Sequence, residues 1–252
     1  MKFFSNVDPN KYKAMQKAGK ISALALKMAL SQAKEGVSLL ELDKVAEDVI
    51  LSNGALPAFK RVDNYPFTTC INVNHGIVHG IPNDYRLKAG DLLSIDLGAY
   101  IDGYNSDQCW TVEISTNKES KFLTAGKVAL RNAIKVAVVG NTIGDISNEI
   151  EKTIKQGGFS VSEDLVGHGI GKKVHERPNV PCFGDAGAGP ILREGMTLAI
   201  EVIYSKGNSA IVVNDDGWTI ETFDKSLSAV FEHTIGITRD VPLVFTKFDE
   251  IG

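Results

Sequence analysis

The sequence predicts an α+β fold made of two similar halves, each with two helices followed by β structure. Short motifs recur in the same order. Ala18-Gly19-Lys20-Ile21 returns as Ala125-Gly126-Lys127-Val128, and Asn53-Gly54 returns as Gly157-Gly158. A helix junction at Gly36-Val37-Ser38 returns as Gly140-Asn141-Thr142. We therefore expect residues 1–252 to form a single domain, with halves at about 8–112 and 117–240 whose strands join into one curved antiparallel sheet.

Composition excludes several classes of protein. The chain has 252 residues and a formal net charge of −4, without a dense Lys/Arg cluster, which argues against nucleic acid as the main ligand. Its three cysteines, Cys70, Cys109 and Cys182, are far apart and odd in number, so they predict a reducing compartment rather than a disulfide framework. The N-terminus lacks the apolar region of a signal peptide, and no segment is apolar enough for a membrane span. We expect a cytoplasmic enzyme or binding protein.

In the first half, Asp8 and Pro9 predict the start of a helix that ends by Gly36. Ser38 followed by Glu41 is a capping box, so a second helix begins there and ends at Asn53-Gly54. Strands and loops are expected from there to residue 81.

Leu92 to Asp107 predicts a hairpin, because Asp102-Gly103 separates two apolar-rich arms. Asp96 lies inside the first arm and Asp107 ends the second. A carboxylate in a core strand is costly unless it is paired. The two acids could cap a turn and face solvent, or they could converge on a metal ion.

The second half predicts a helix from Thr116 or Asn117 to Gly140, and another that Thr142 and Asp145 cap and Gly157-Gly158 ends. Three more candidate ligands follow. His168 is expected in a glycine-rich turn, Glu201 at the end of a buried strand, and Glu232 inside the apolar strand Ser228 to Ile235.

Asp96, Asp107, Glu201 and Glu232 thus lie in or beside predicted core strands, with His168 nearby. Each acid alone could form a salt bridge or a cap. Four carboxylates without an adjacent Lys or Arg repel one another too strongly to be buried at pH 7 without cations. Two divalent ions would satisfy them, and an oxygen-rich set with one imidazole suits Mn, Fe(II), Co or Zn.

In these motifs the sequence resembles the type I methionine aminopeptidases, metallopeptidases of the pita-bread fold. The matching segments span about residues 60 to 240 in the family's order. They are His79-Gly80-Ile81-Pro82, Ile95-Asp96 with Asp107, Gly167-His168-Gly169-Ile170-Gly171 with His175-Glu176, Gly195-Met196-Thr197 with Ile200-Glu201, Asp216-Gly217-Trp218, and Ser228-Ala229 with Phe231-Glu232-His233-Thr234. The resemblance implies a curved antiparallel sheet covered by helices.

The resemblance also implies a mechanism: a water or hydroxide between two metal ions attacks the peptide carbonyl, releasing N-terminal methionine when the second residue is small. It assigns Asp96 to one ion, Asp107 and Glu232 as bridges, and His168 and Glu201 to the second ion, with proton transfer by Glu201. His79 and His175 would contact the substrate and the tetrahedral intermediate, while Tyr65, Cys70 and Trp218 line the methionine pocket. The implied partners are N-termini of nascent polypeptides, with a transient ribosome contact; a monomer is expected.

The sequence departs from the family pattern at several positions around this pocket and directly after Glu201. Phe59, Val62 and Val174 stand where Cys, Tyr and Phe are expected, Val78 replaces a Cys, and Val202 replaces a Pro. His75 is an additional histidine. We therefore expect intact catalysis with a looser preference for methionine.

Two other functions fit these residues. An Xaa-Pro aminopeptidase or prolidase shares the fold, but usually has a large N-terminal domain for which this chain has no room. A non-catalytic pita-bread protein would bind peptides or proteins, but such proteins typically lose metal ligands, and all five are present here.

Overall fold

The fold is described for residues 9–248 by a computed structural model, in which helices pack against antiparallel sheets. The α+β prediction is therefore confirmed. The helices are α1 (Pro9–Gln32), α2 (Leu39–Ser52), α3 (Ser120–Val136) and α4 (Ile143–Gly157), with a short 3₁₀ turn at Phe59–Arg61. Asp8, expected to cap α1, lies outside the described residues.

Fifteen strands are present among these residues. They are β1 (Leu56–Pro57), β2 (Thr69–Val73), β3 (Gly76–Val78), β4 (Leu92–Leu97), β5 (Ala99–Ile101), β6 (Tyr104–Asn105), β7 (Gln108–Glu113), β8 (Ser160–Val161), β9 (Val166–Gly169), β10 (Glu176–Pro181), β11 (Thr197–Ser205), β12 (Ile211–Val213), β13 (Ile220–Thr222), β14 (Ser228–Gly236) and β15 (Leu243–Val244). Backbone hydrogen bonds group them as β1-β5-β6, β2-β4-β7, β12-β13-β3 and β10-β9-β11-β14-β15, with β8 beside β11.

A threonine hydroxyl joins the sheets of the two halves where β7 lies beside β14. Thr111 Oγ1 donates to the carbonyl of Val230 at 2.8 Å and accepts from the N–H of the same residue at 3.0 Å. These two sheets are therefore linked here by a side chain rather than by a regular strand ladder.

Both predicted capping boxes are confirmed. Glu41 N–H donates to Ser38 Oγ at 3.2 Å, and Ser38 N–H donates to Glu41 Oε2 at 2.7 Å. Thr142 and Asp145 form the same pair of bonds at the start of α4. These equivalent caps begin the second helix of each half, in agreement with the repeat in the sequence.

Helix α3 begins later than predicted. The expected start was Thr116 or Asn117, but the helix begins at Ser120 and ends at Val136, before Gly140. The Glu113 side chain at the end of β7 explains the late start. Its carboxylate accepts the Thr116 hydroxyl and the N–H groups of Lys118 and Glu119, which holds this segment as a turn.

The predicted hairpin turn is confirmed, but each arm is divided between two sheets: β5 pairs with β6 next to the turn, and β4 pairs with β7 farther from it. Asp102 and Gly103 have φ angles of 52° and 88°, as a two-residue type I′ connection requires. Gly98 separates β4 from β5, and a Cβ there would lie 2.3 Å from the Ser106 carbonyl oxygen. Gly98 thus allows the chain to bend where the two arms come closest.

In residues 9–248, none of the helices combines the length and the apolar composition needed to cross a lipid bilayer.

Gly126 makes a testable contribution to the helix–sheet contact. A Cβ at this position would lie 2.4 Å from Phe231 Cδ2 and 2.7 Å from Tyr204 Cε1, on strands β14 and β11. We expect Gly126→Ala to lower the free energy of unfolding by about 1–3 kcal/mol, because overpacking outweighs the gain in helix propensity. Urea denaturation measures the change. The exposed Thr124→Ala on the same helix is the control, and equal stability of the two variants would contradict the packing argument.

Candidate active site

Asp96 and Asp107 lie on one face of the β4–β7 pair. Asp96 is opposite Cys109, and Asp107 directly precedes β7, so the two acids are diagonal neighbours. Thr234 on β14 holds the backbone of Asp107: its hydroxyl accepts the Asp107 N–H at 2.8 Å and donates to the Asp107 carbonyl at 2.6 Å. This clamp fixes Asp107 against the other half. The sequence does not indicate this role for Thr234, because its partner is 127 residues away in the chain.

Glu201 and Glu232 face each other directly across β11 and β14. The expectation that Glu201 ends a strand is wrong, because β11 continues to Ser205 and pairs with β14 over its whole length. Like charges opposite each other destabilise an antiparallel pair. A cation between the two carboxylates would remove that repulsion.

His168 lies on strand β9, so the expectation of a glycine-rich turn is wrong. The flanking glycines permit close strand packing: a Cβ at Gly167 would be 2.5 Å from the Ala199 carbonyl oxygen, and one at Gly169 would be 2.3 Å from that of Arg177. His168 Nδ1 donates to the Gly169 carbonyl at 2.9 Å, which leaves Nε2 free to accept or to bind a metal.

The five predicted ligands converge on a small volume. His168 Nε2 lies 3.5 Å from Glu201 Oε1 and 3.8 Å from Asp107 Oδ2. Within each of three groups the potential ligand atoms are all within 4.8 Å of one another. These groups are Asp96–Asp107–Glu232, His168–Glu201–Glu232 and Asp107–His168–His175. Glu232 belongs to the first two groups, Asp107 to the first and third, and His168 to the second and third, so the three groups form one continuous cluster.

Three carboxylate oxygens in this cluster are buried without a hydrogen-bond partner among the described residues. They are Asp96 Oδ1, Asp107 Oδ1 and Glu232 Oε1. Uncompensated buried carboxylates are strongly unfavourable, so these oxygens fit a site for cations. The donors are carboxylate oxygens and one imidazole, a set that suits Mn, Fe, Co or Zn.

Burial and repulsion between like charges also shift the pKa values of the side chains in this cluster. Burial raises the pKa of Asp96 to about 7. Burial and repulsion from neighbouring carboxylates raise the pKa values of Asp107, Glu201 and Glu232 well above their usual range. Burial also lowers the pKa of His168 to about 4, so its imidazole is neutral, as a metal ligand must be. Without a bound cation, simultaneous ionisation of all four acids is therefore unfavourable.

A cavity of about 110 Å³ opens beside the cluster. Its apolar wall contains the side chains predicted to bind the substrate's first residue. They are Tyr65, Cys70 and Trp218, with Phe59, Val62 and Val78. The rings of Tyr65 and Trp218 are 5.0 Å apart and edge-to-face, and the Tyr65 hydroxyl donates to the Thr69 carbonyl at 2.8 Å. Val174 is buried in the same apolar cluster.

His79 and His175 also line this cavity, whereas His75 does not. The ring centroids of His175 and His168 are 4.4 Å apart. His79 has a φ of 58°, and the next residue is Gly80, where a Cβ would be 2.2 Å from the Ile71 carbonyl oxygen. Burial lowers the pKa of both cavity histidines, so the neutral rings can donate one hydrogen bond and accept another.

Comparison with known proteins agrees with this arrangement. Residues 13–239 match the model of metallopeptidase family M24. A methionine aminopeptidase of Clostridium perfringens is 41% identical over 94% of this chain and 96% of its own length. The solved methionine aminopeptidase of Thermotoga maritima has a TM-score of 0.93 and 36% identity, over 96% of this chain and 98% of that one.

The prolidase of Pyrococcus furiosus has the same fold at a lower similarity, with a TM-score of 0.77 and 25% identity over 97% of this chain. This chain covers 66% of that prolidase. These structures confirm the pita-bread prediction, and the higher identities and mutual coverage favour the methionine aminopeptidases over the prolidases. The chain therefore belongs to metallopeptidase family M24 and, within it, to the methionine aminopeptidases.

Proposed function

We propose that this protein removes methionine from the N-terminus of nascent polypeptides or peptides whose second residue is small. The observation that supports it is the convergence of four buried or partly buried carboxylates and His168 beside a small apolar cavity. The cavity has an apolar wall and a volume of about 110 Å³, which suits a single apolar side chain. We further propose that residues 1–252 act as a single domain in the cytoplasm, as a monomer in transient contact with ribosomes.

We propose that Asp96, Asp107, His168, Glu201 and Glu232 hold two divalent ions, which could be Co, Mn, Fe or Zn. Two such ions would lower the pKa of a water molecule and stabilise negative charge on the substrate carbonyl oxygen. Asp107 and Glu232 are the proposed bridging residues, because each belongs to two groups of converging ligand atoms and offers two carboxylate oxygens, whereas His168, which also belongs to two groups, has its Nδ1 bonded to a backbone carbonyl. Glu201 is the proposed proton acceptor and donor, since it faces the cavity beside His168.

The remaining residues bind and orient the substrate. Tyr65, Cys70 and Trp218 are proposed to contact the methionine side chain, while His79 and His175 hydrogen-bond to the peptide group. A neutral imidazole can donate to the carbonyl oxygen as charge develops on it, and it can accept from the scissile N–H. Both histidines would thereby restrict the bound peptide to one orientation.

The proposed function is tested by hydrolysis of a methionyl tripeptide and of a matched Xaa-Pro peptide, after chelation and reconstitution with Mn, Co, Fe or Zn. We expect release of methionine from the first peptide only, and none from the chelated protein. Preferential cleavage of the Xaa-Pro peptide would favour the prolidase alternative. Inactivity with every metal on both peptides would favour a peptide-binding homologue.

Asp107→Asn and Glu232→Gln test the bridging role. We expect each to abolish turnover without unfolding the protein, because removal of one buried charge weakens the binding of both ions while the side-chain volume is kept. Activity, bound metal and circular dichroism are measured together. The exposed Asp164→Asn is the matched control. Wild-type activity of either site variant at saturating metal contradicts bridging.

His79→Ala and His175→Ala test the substrate-orienting role. We expect each to lower kcat by roughly 10²–10⁴-fold with little loss of bound metal, since neither is a proposed ligand. His75→Ala is the control, because His75 contacts Glu221 outside the active-site cavity. If metal content falls together with activity, the residue is a ligand and its role must be reassigned.

The preference for methionine is expected to be weaker than in the rest of the family. Val62 and Val174 leave volume that larger rings would fill, and Phe59 replaces only part of it. Loss of a contact the size of one methylene reduces discrimination by about 1–3 kcal/mol. A comparison of kcat/KM for peptides with Met, norleucine, Leu or Phe at the first position measures this preference. Val174→Phe should restore the selectivity for methionine. Strict rejection of Leu and Phe by the unmodified protein contradicts this expectation.

A further inference from the structure

We propose that a basic rim at the mouth of the active site, formed by Arg61, Lys172 and Lys173, binds acidic side chains of the substrate downstream of the cleaved bond. This inference rests on the proposed function, because it assigns the binding site for the part of the polypeptide that remains after the first residue is removed. It adds a second determinant of substrate choice to the apolar pocket.

The basic rim lies beside the catalytic cavity. It borders a second, open cavity of about 390 Å³, which shares Val62 and His175 with the active-site cavity. The inner cavity, of about 110 Å³, is much smaller than a polypeptide. The acidic side chains of the proposed metal site already form part of its lining. The part of the substrate that follows its first residue must therefore leave the inner cavity through an opening. Val62 and His175 line both cavities, so they border an opening that leads to the basic rim.

The charge of this outer cavity is opposite to that of the whole protein. Three cationic side chains line it against one acid, Asp63, whereas the chain has a formal net charge of −4. None of the three cations forms an ion pair within the described residues, whereas exposed Lys and Arg side chains elsewhere, such as Lys17 and Arg86, do. An unpaired group of like charges has an electrostatic cost that a bound carboxylate would relieve.

The backbone and one side chain of the rim are already ordered. The guanidinium group of Arg61 lies 3.6 Å from the centroid of the Tyr100 ring. The buried Asn105 side chain donates to the carbonyls of Gly171 and Lys172, both at 3.0 Å, which ties the lysine loop to the hairpin. Such preorganisation reduces the entropy lost when a ligand binds.

Acidic side chains of the substrate are favoured over other anions by proximity. A carboxylate on a peptide already held at the active site has a high effective concentration at a neighbouring surface. Arginine can bind it in a bidentate manner and lysine as a point charge. Nucleic acid would draw its affinity from many phosphate contacts, and three cations beside a catalytic opening provide few.

The test uses methionyl hexapeptides with alanine second and serine third, and with two Glu, two Gln or two Lys at positions four and five. The kcat/KM values of the metal-loaded protein are compared at low and high salt. We expect the Glu peptide to exceed the Gln peptide by about 3–10-fold at low salt, the Lys peptide to be slowest, and the differences to shrink at high salt.

The double variant Lys172→Gln/Lys173→Gln should remove most of the preference for Glu and leave the Gln peptide unaffected. Lys20→Gln/Lys27→Gln, which removes the same charge from the exposed face of α1, should behave as the unmodified protein. Equal rates for Glu and Gln peptides, or equal loss of preference in both double variants, overturn the proposal. Binding of a single-stranded RNA oligonucleotide that requires Lys172 and Lys173, without a Glu preference, overturns it as well. Failure to cleave even the Gln peptide would instead refute the proposed function.

Discussion

Mutual repulsion among four buried or partly buried carboxylates is the constraint on which this structure depends. Asp96, Asp107, Glu201 and Glu232 lie on or directly beside strands of two different sheets, and within the described residues the basic side chain in contact with Asp107 and Glu201 is His168, not a Lys or Arg. Burial and the neighbouring charges raise their pKa values, so the protein alone favours protonated acids. Metal binding would favour the ionised forms. Folding, ionisation and metal binding are therefore coupled through one cluster.

The rest of the fold holds this cluster in register. Thr111 and Thr234 use hydroxyl groups to join β7 to β14, and the second of them fixes Asp107 relative to Glu232. Gly19 and Gly126 occupy equivalent positions of the repeat, and both permit close helix packing. Gly19 lets α1 approach the segment after β15, and Gly126 lets α3 approach β11 and β14. The acids thus lie on strands whose positions are determined by several independent contacts, which suits a site that must resist its own repulsion.

Local chemistry explains which sequence predictions succeeded. The capping boxes at Ser38 and Thr142 and the Asp102-Gly103 turn depend on residues close in the chain, and all were confirmed. The context of His168 and the position of Glu201 within its strand were wrong, because both depend on distant strand partners. The clamp by Thr234 could not be found from spacing. The side chains that converge were nevertheless identified, since acids in apolar segments are conspicuous without any knowledge of the partners.

The metal-binding side chains and the substrate-binding residues differ in how well they tolerate substitution. The metal-binding side chains lie on or directly beside paired strands, where a shift of one residue would turn a carboxylate to the opposite face. Phe59, Val62, Val174 and the basic rim lie in a short 3₁₀ turn and in loops, where a larger or smaller side chain leaves the strand register intact. Selection of the substrate can thus change while the chemistry is kept.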